Sequence, residues 1–192
     1  MCGGCRRTLR HLPPEPVKLA GITTWAPVSY EGPARELVRG LKFRGAMALA
    51  DPMAALILAN APEGFLQPRV MDAPVLGPPA LVPVPLHPAR RRRRGFNQAA
   101  VLAAALARRT GLLLADCLTR SGPLATQVGR PRSERLAAAP GSMLAHAPVP
   151  ARVVVVDDVA TTGATLAASA RTLCAAGALE VRAVTFARTL GR

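Results

Sequence analysis

The sequence predicts an α/β fold, an open and mostly parallel twisted sheet with helices on both faces. Three observations carry that expectation. From residue 80 onward, short apolar runs alternate with helical patterns, the order of βαβ units. Arg152–Val156 holds four consecutive valines, which implies a strand buried on both faces. Glycines stand where helices should stop, with Gly111 after Asn97–Arg109 and Gly177 after Thr162–Ala176.

The 192 residues suit one domain with one core and a small appendage. Residues 1–20 contain Pro and Arg without a clear period and are expected to form that N-terminal appendage. Residues 21–192 are expected to form the main domain. Thr23–Tyr30 predicts a strand. Pro33 opens a helical pattern striped by Leu37, Val38 and Leu41. Met47–Leu58 continues helically through Met53, Leu56 and Ile57, and residues 60–79 read as loop. Ala80–Leu86 predicts a strand despite Pro83 and Pro85. Asn97–Arg109 predicts a helix with Val101, Leu102 and Leu106 inward. Leu112–Leu118 predicts another strand, and residues 119–142 a long Arg-rich loop with one helical turn near Ser133–Ala138. Val181–Arg188 predicts the last strand.

Half of the chain is apolar and only 3% is aromatic, so the core must be built from Val, Leu and Ala. The formal charge is +14, almost all of it arginine. Such a field favours phosphates, nucleic acid or acidic lipid heads. Arg and Ala richness follows equally from genomic base composition, so charge alone assigns no site. Cys117 and Cys174 lie in apolar stretches and read as small core residues. Residues 1–12 have no apolar leader core, and the longest apolar run, Ala99–Ala107, is too short to span a bilayer. A soluble, reducing, cytoplasmic setting is expected. No GxxxxGK[ST] or GxGxxG motif supports a nucleoside triphosphatase or a dinucleotide enzyme.

The segment after Val156 lies where open parallel sheets bind ligands, beyond a strand's carboxyl end. Asp157 and Asp158 are adjacent carboxylates that can accept hydrogen bonds from two vicinal ribose hydroxyls, directly or through hydrated magnesium. Ala160, Thr161, Thr162, Gly163, Ala164 and Thr165 follow, where a helix begins. Free N–H groups and the positive end of the helix dipole favour a phosphate there, and Gly163 lets the backbone approach it. A plain structural alternative has Thr161 or Thr162 capping the helix and Gly163 making the turn. That alternative leaves two consecutive acids after a four-valine strand unexplained.

VVVVDDVATTGATL resembles the phosphoribosyl pyrophosphate signature of type I phosphoribosyltransferases. LVPVPLHP, RRGFNQA, GALEVRAVTFAR and YEGPARELVRGLKFRG resemble the ComF/GntX family of competence-related phosphoribosyltransferase-like proteins. The resemblance runs from about Cys2 to Arg188. It implies a type I phosphoribosyltransferase-like sheet with a small hood, and phosphoribosyl pyrophosphate or a nucleotide as ligand with Mg2+. It implies a link to DNA uptake in natural transformation, with single-stranded DNA or competence proteins as partners and no membrane.

Within that resemblance, Asp157 and Asp158 are the catalytic pair. Pro83, Val84 and Pro85 resemble the pyrophosphate loop, with the Val84 and Leu86 N–H groups as donors. Of Arg90–Arg94, Arg94 is favoured for pyrophosphate because it abuts Gly95-Phe96-Asn97-Gln98. The rest of the run reads equally as a solvated face. Asn97 reads also as a helix cap and Gln98 as a surface residue. Lys42 of the Lys42-Phe43 pair is a phosphate or acceptor-side candidate, or a solvated lysine at a helix end. Gln127 and Arg135, with Arg130 and Arg132, fall in a stretch resembling the mobile lid. That stretch departs from the family pattern at Ala125-Thr126-Gln127 and Ala138-Ala139-Pro140. Cys2 and Cys5 have zinc-ligand spacing and resemble the second half of the family's zinc ribbon. With only His11 as a third candidate, Zn2+ is not expected in this chain.

Two functions remain open on this reading. One is an enzyme transferring phosphoribose to an unidentified acceptor. The other is a non-catalytic nucleic-acid- or partner-binding module on the same fold, for which Trp25, Tyr30 and Phe96 are the stacking candidates.

Overall fold

The computed structural model describes residues 7–43, 45–66, 77–120, 143–146 and 148–190. Cys2, Cys5, Gln127, Arg130, Arg132 and Arg135 lie outside the described residues. The elements are β1 (Val17–Leu19), β2 (Ile22–Trp25), β3 (Val28–Ser29), α1 (Gly32–Phe43), α2 (Ala50–Asn60), β4 (Ala80–Pro83), α3 (Pro88–Arg94), α4 (Gln98–Thr110), β5 (Leu118–Arg120), β6 (Met143–Ala145), β7 (Arg152–Ala160), α5 (Ala164–Ala175) and β8 (Glu180–Arg188). The main sheet runs β1-β2-β8-β7-β4, with β3 also beside β8. Every pair in it is parallel except β1–β2.

The valine run explains the centre. Val154 and Val156 enter a core with Val38, Leu41, Ile57 and Leu106, from α1, α2 and α4. Val153 and Val155 enter a second core with Leu166 and Leu173 of α5 and with Cys117. Each buried valine contributes about 2 kcal/mol relative to exposure. Helices cover both faces, so the strand needs no polar alternation.

The helix signals hold at both ends of α4. Asn97 caps it, its Oδ1 accepting from Ala99 N at 3.1 Å, and Gly111 closes it with φ 71°. Helix α5 starts two residues later than expected, at Ala164, because Gly163 has φ 79° and cannot join a right-handed helix. Cys174 corrects an expectation: it is exposed, one position past the inward Leu173, while Cys117 is buried.

Three strand expectations change in detail. Thr23–Tyr30 divides into β2 and β3 around Pro27, which has no N–H to give a ladder. The expected strand Leu112–Leu118 reduces to a parallel bridge between Leu114 and Leu81, and then β5 turns away to pair with β6. That pairing sets Arg120 opposite Met143. The expected boundary after residue 20 falls inside the β1–β2 hairpin. Its turn, Ala20-Gly21, has φ 48° and 88°, the doubly positive pattern of type I′. Leu9 is buried in the first core, so part of the stretch read as an appendage packs on the domain.

Candidate functional site

The site forms where β7 outlasts its neighbour. β4 ends at Pro83, opposite Val156, and the Val84 N–H then donates to Val156 O at 2.9 Å. That bond removes Val84 from the two expected donors of the pyrophosphate loop. Pro83 and Pro85 are buried beside it. Strand β7 continues through Asp157–Ala160, still paired with the equally long β8 at Asp157↔Thr185, Val159↔Ala187 and Ala160↔Arg188. The acids therefore sit inside the strand rather than beyond it. From Asp157 onward, β7 has no β4 residue beside it.

Alternation along the strand divides the acids. Asp158 follows Val154 and Val156 onto the face of α1. Its side chain is 3% exposed, and Oδ2 meets Lys42 Nζ at 2.7 Å. Lys42 occupies the last turn of α1, so the helix end delivers it there. Oδ2 has no well-aligned hydrogen bond among the described residues, which makes this ammonium its principal partner. Asp157 is half-buried, and its Oδ1 accepts from Asp158 N at 2.8 Å. Desolvation first, and then the charge of Asp158, push the Asp157 carboxyl well above its ordinary value, and Lys42 opposes them.

Asp157 and residues 159–166 line an open hollow with about 240 Å³ of empty space. Thr161 and Thr162 are exposed at its rim, and the N-cap position of α5 is Gly163, which has no side chain to cap with. The Thr162 hydroxyl accepts weakly from Ala164 N at 3.4 Å. Gly163 is required for a reason the sequence did not show. Besides its positive φ, a Cβ there would lie 2.6 Å from Leu19 Cβ. The close approach is to the β1–β2 hairpin, which props the loop.

Cations gather around the acids. Arg94 is the half-buried member of an otherwise exposed run. Its guanidinium donates to Gln98 Oε1 and lies 5.3 Å from the Phe43 ring centroid. Burial lowers its pKa first; the charge of Asp158 opposes this, and Arg90 and Arg93 add to it. Gln98, for which a surface position was the plain alternative, is buried. Asn97 both caps α4 and donates from Nδ2 to Val84 O at 2.9 Å, tying the loop after β4 to the helix that follows. Arg120 was missed by sequence reasoning; its only signal was its place at the mouth of the Arg-rich loop. Burial lowers its pKa first, then Arg90, while the charge of Asp157 raises it, so the end of β5 lies within electrostatic reach of Asp157. Trp25 is withdrawn as a stacking candidate because it is 2% exposed in the core, whereas Phe43 is 67% exposed.

The phosphoribosyl transferase domain family matches residues 97–192, which include β7, the loop and α5. DNA utilization protein YhgH of Salmonella typhi is 32% identical over 191 residues, covering 98% of this chain and 78% of that protein. The proteins of the same name from Escherichia coli and Shigella flexneri are 32% and 31% identical over the same coverage. The chain belongs to the ComF/GntX family. For this ComF-type chain, the match spans both halves of the site, Lys42 and Arg94 as well as the Asp157–Thr165 loop. Among the described residues, no helix is long and apolar enough to cross a membrane.

Proposed function

We propose that the chain binds phosphoribosyl pyrophosphate, or another ribose 5-phosphate ligand, at Asp157–Thr165. The observation that carries this reading is the open hollow on Asp157 and residues 159–166, at the point where β7 has outrun β4. Thr161, Thr162 and Thr165 with the first-turn N–H groups of α5 would take the 5-phosphate. Asp157 would accept from the ribose diol. Arg94, Arg120 and Lys42 would face the pyrophosphate, with Pro83, Val84 and Pro85 shaping the wall and the Leu86 N–H as the remaining backbone donor. Lys42 would leave Asp158 for a phosphate oxygen as Asp158 turns to the ligand.

The residues fit magnesium. Mg2+ binds through one or two carboxylates and substrate phosphates while keeping waters, and Asp157 with Asp158 supply such a pair. Among the described residues there is no cluster of three or more His, Cys, Asp or Glu to cage a metal alone. When bound, the ion would neutralise charge on the pyrophosphate. The reaction proposed is transfer of phosphoribose to an acceptor with loss of pyrophosphate, driven by positioning and by cations at the leaving group. The setting proposed is the cytoplasm, where Cys117 and Cys174 stay free. The role proposed is in DNA uptake or utilization, after the name its relatives carry.

Calorimetry with Mg2+ and phosphoribosyl pyrophosphate tests the reading. Wild type is expected to bind, and Asp157→Asn to bind at least tenfold more weakly, the loss of about one charge-assisted hydrogen bond. Equal affinity in the variant removes the diol assignment. A second reading, a nucleic-acid module without catalysis, is favoured by one observation: Arg90–Arg93 stand exposed along one short helix. It predicts DNA affinity falling steeply with salt, with a shallower slope once these arginines are replaced.

A further inference from the structure

The RGFNQ stretch contains two side chains that the proposed chemistry leaves unused, Asn97 and Gln98. Both stand at the start of α4, and they hold different things. Gln98 is 8% exposed, and its Oε1 accepts from the Arg94 guanidinium. Asn97 Oδ1 accepts from Ala99 N at 3.1 Å, which is the cap, and Asn97 Nδ2 donates to Val84 O at 2.9 Å. The amide fits in one orientation only, since its oxygen meets an N–H and its nitrogen a carbonyl. A cap alone does not require this residue, because Ser, Thr or Asp serve there as well. Of the strong caps, only the amide of Asn adds a second atom that donates.

Val84 is thereby held at both of its backbone polar groups. Its N–H donates to Val156 O at 2.9 Å, one residue before Asp157, and its C=O accepts from Asn97. Pro83 and Pro85 flank it, each with φ fixed by its ring, and Val84 itself is restricted by the proline that follows. The Val84 carbonyl belongs to the peptide that enters Pro85, and the next N–H along the chain is that of Leu86. With that planar peptide pinned and the Pro85 φ closed, the Pro85 ψ is the one soft torsion between the Asn97 contact and the Leu86 N–H. Leu86 is the first residue past β4 that is not buried, and its N–H has no backbone partner among the described residues. Gln98 braces Arg94 in the same way, so α4 begins beside both expected pyrophosphate donors.

We infer that Asn97 is a positioning residue for the pyrophosphate end of the ligand: through Val84 O and the stiff Pro85 it aims the Leu86 N–H, a role separate from its cap on α4. The inference rests on the phosphoribosyl reading and adds to it a residue that touches no ligand atom.

The test separates the two roles of Asn97 on the full chain. Asn97→Ser keeps an oxygen for Ala99 N but lacks the atom that reaches Val84 O, and Asn97→Ala loses both. Affinities for phosphoribosyl pyrophosphate, inorganic pyrophosphate and ribose 5-phosphate, each with Mg2+, are measured by calorimetry beside melting curves. Wild type is expected to bind all three. Both variants are expected to bind phosphoribosyl pyrophosphate and pyrophosphate about fivefold more weakly, the worth of one neutral hydrogen bond, and to bind ribose 5-phosphate as wild type does. Asn97→Ser is expected to melt above Asn97→Ala, because it keeps the cap, while losing as much ligand affinity. Full affinity for phosphoribosyl pyrophosphate in folded Asn97→Ser, or an equal weakening of ribose 5-phosphate, overturns the inference and leaves the phosphoribosyl reading standing. So does a wild type that binds ribose 5-phosphate and gains nothing from the pyrophosphate. A wild type that binds none of the three overturns both.

Discussion

Replacing Lys42 by Met strands a carboxylate, and the cost follows from geometry. Asp158 and Lys42 meet at 2.7 Å, with side chains 3% and 22% exposed. Removing one partner of a buried ion pair costs about 3–5 kcal/mol, because the other charge stays behind without compensation. Lys42 retains some contact with water, so the low end applies, about 3 kcal/mol. For a domain of this size, 1 kcal/mol moves the melting temperature by about 2–4 °C, so a fall of about 6–12 °C is expected. Asp158→Asn removes the charge itself and leaves Lys42 free to turn outward; its expected cost is about 1 kcal/mol. In the Lys42→Met/Asp158→Asn double variant no buried charge is left over, and its stability should exceed that of Lys42→Met alone. The double-mutant cycle, followed by thermal and urea melts, should return a coupling of about 2 kcal/mol. A Lys42→Met melt within one degree of wild type, or strictly additive variants, would show that the contact does not hold the site together.

Gly163→Ala should lower stability by about 2–4 kcal/mol, combining left-handed strain with overpacking against Leu19, and a urea midpoint near wild type contradicts this. Asn97→Ala should cost about 1–2 kcal/mol, because it loses the cap on Ala99 N and the tie to Val84 O together; a thermal melt checks it. Asp157 gives a pH signature. Its folded carboxyl titrates above the ordinary value of 3.8, so the folded chain holds this proton more tightly than the unfolded one. Stability should then fall as pH climbs from about 4 through the raised value. Asp157→Asn should abolish that fall and surpass wild type near pH 7, and parallel urea profiles for the two proteins in metal-free buffer would refute it.

Much of the frame was legible because its signals are local. Four valines can only be satisfied between two covered faces, and Asn97 and Gly111 bracket α4 within one turn at each end. What stayed hidden depends on residues distant in the chain. Whether β7 stops at Val156 or runs on to Ala160 is decided by the length of β8 and the early end of β4, not by Asp157 and Asp158 themselves. The ion pair from Lys42 needs the end of α1 to arrive over β7, which no spacing announces. Arg94 was singled out from its neighbours by its motif, and it is the half-buried member of that run. Phe43 was read only as the partner of Lys42; its exposure is set by where the end of α1 meets the sheet, which the sequence does not announce. Cys174 looked inward because its neighbours are apolar, but one helical step carries a side chain 100° around the axis.

The hairpin beneath the Thr161–Gly163 loop has a mechanical corollary. Leu19 abuts Gly163, and its strand is stitched through β2 to the long central β8. Tension or torque applied to the leading arm cannot be absorbed there by a slack tether; it arrives at the bend made by Thr161, Thr162 and Gly163. Whatever grips the chain ahead of β1 thus has a lever, two ribbons long, on the loop proposed to seat a phosphate.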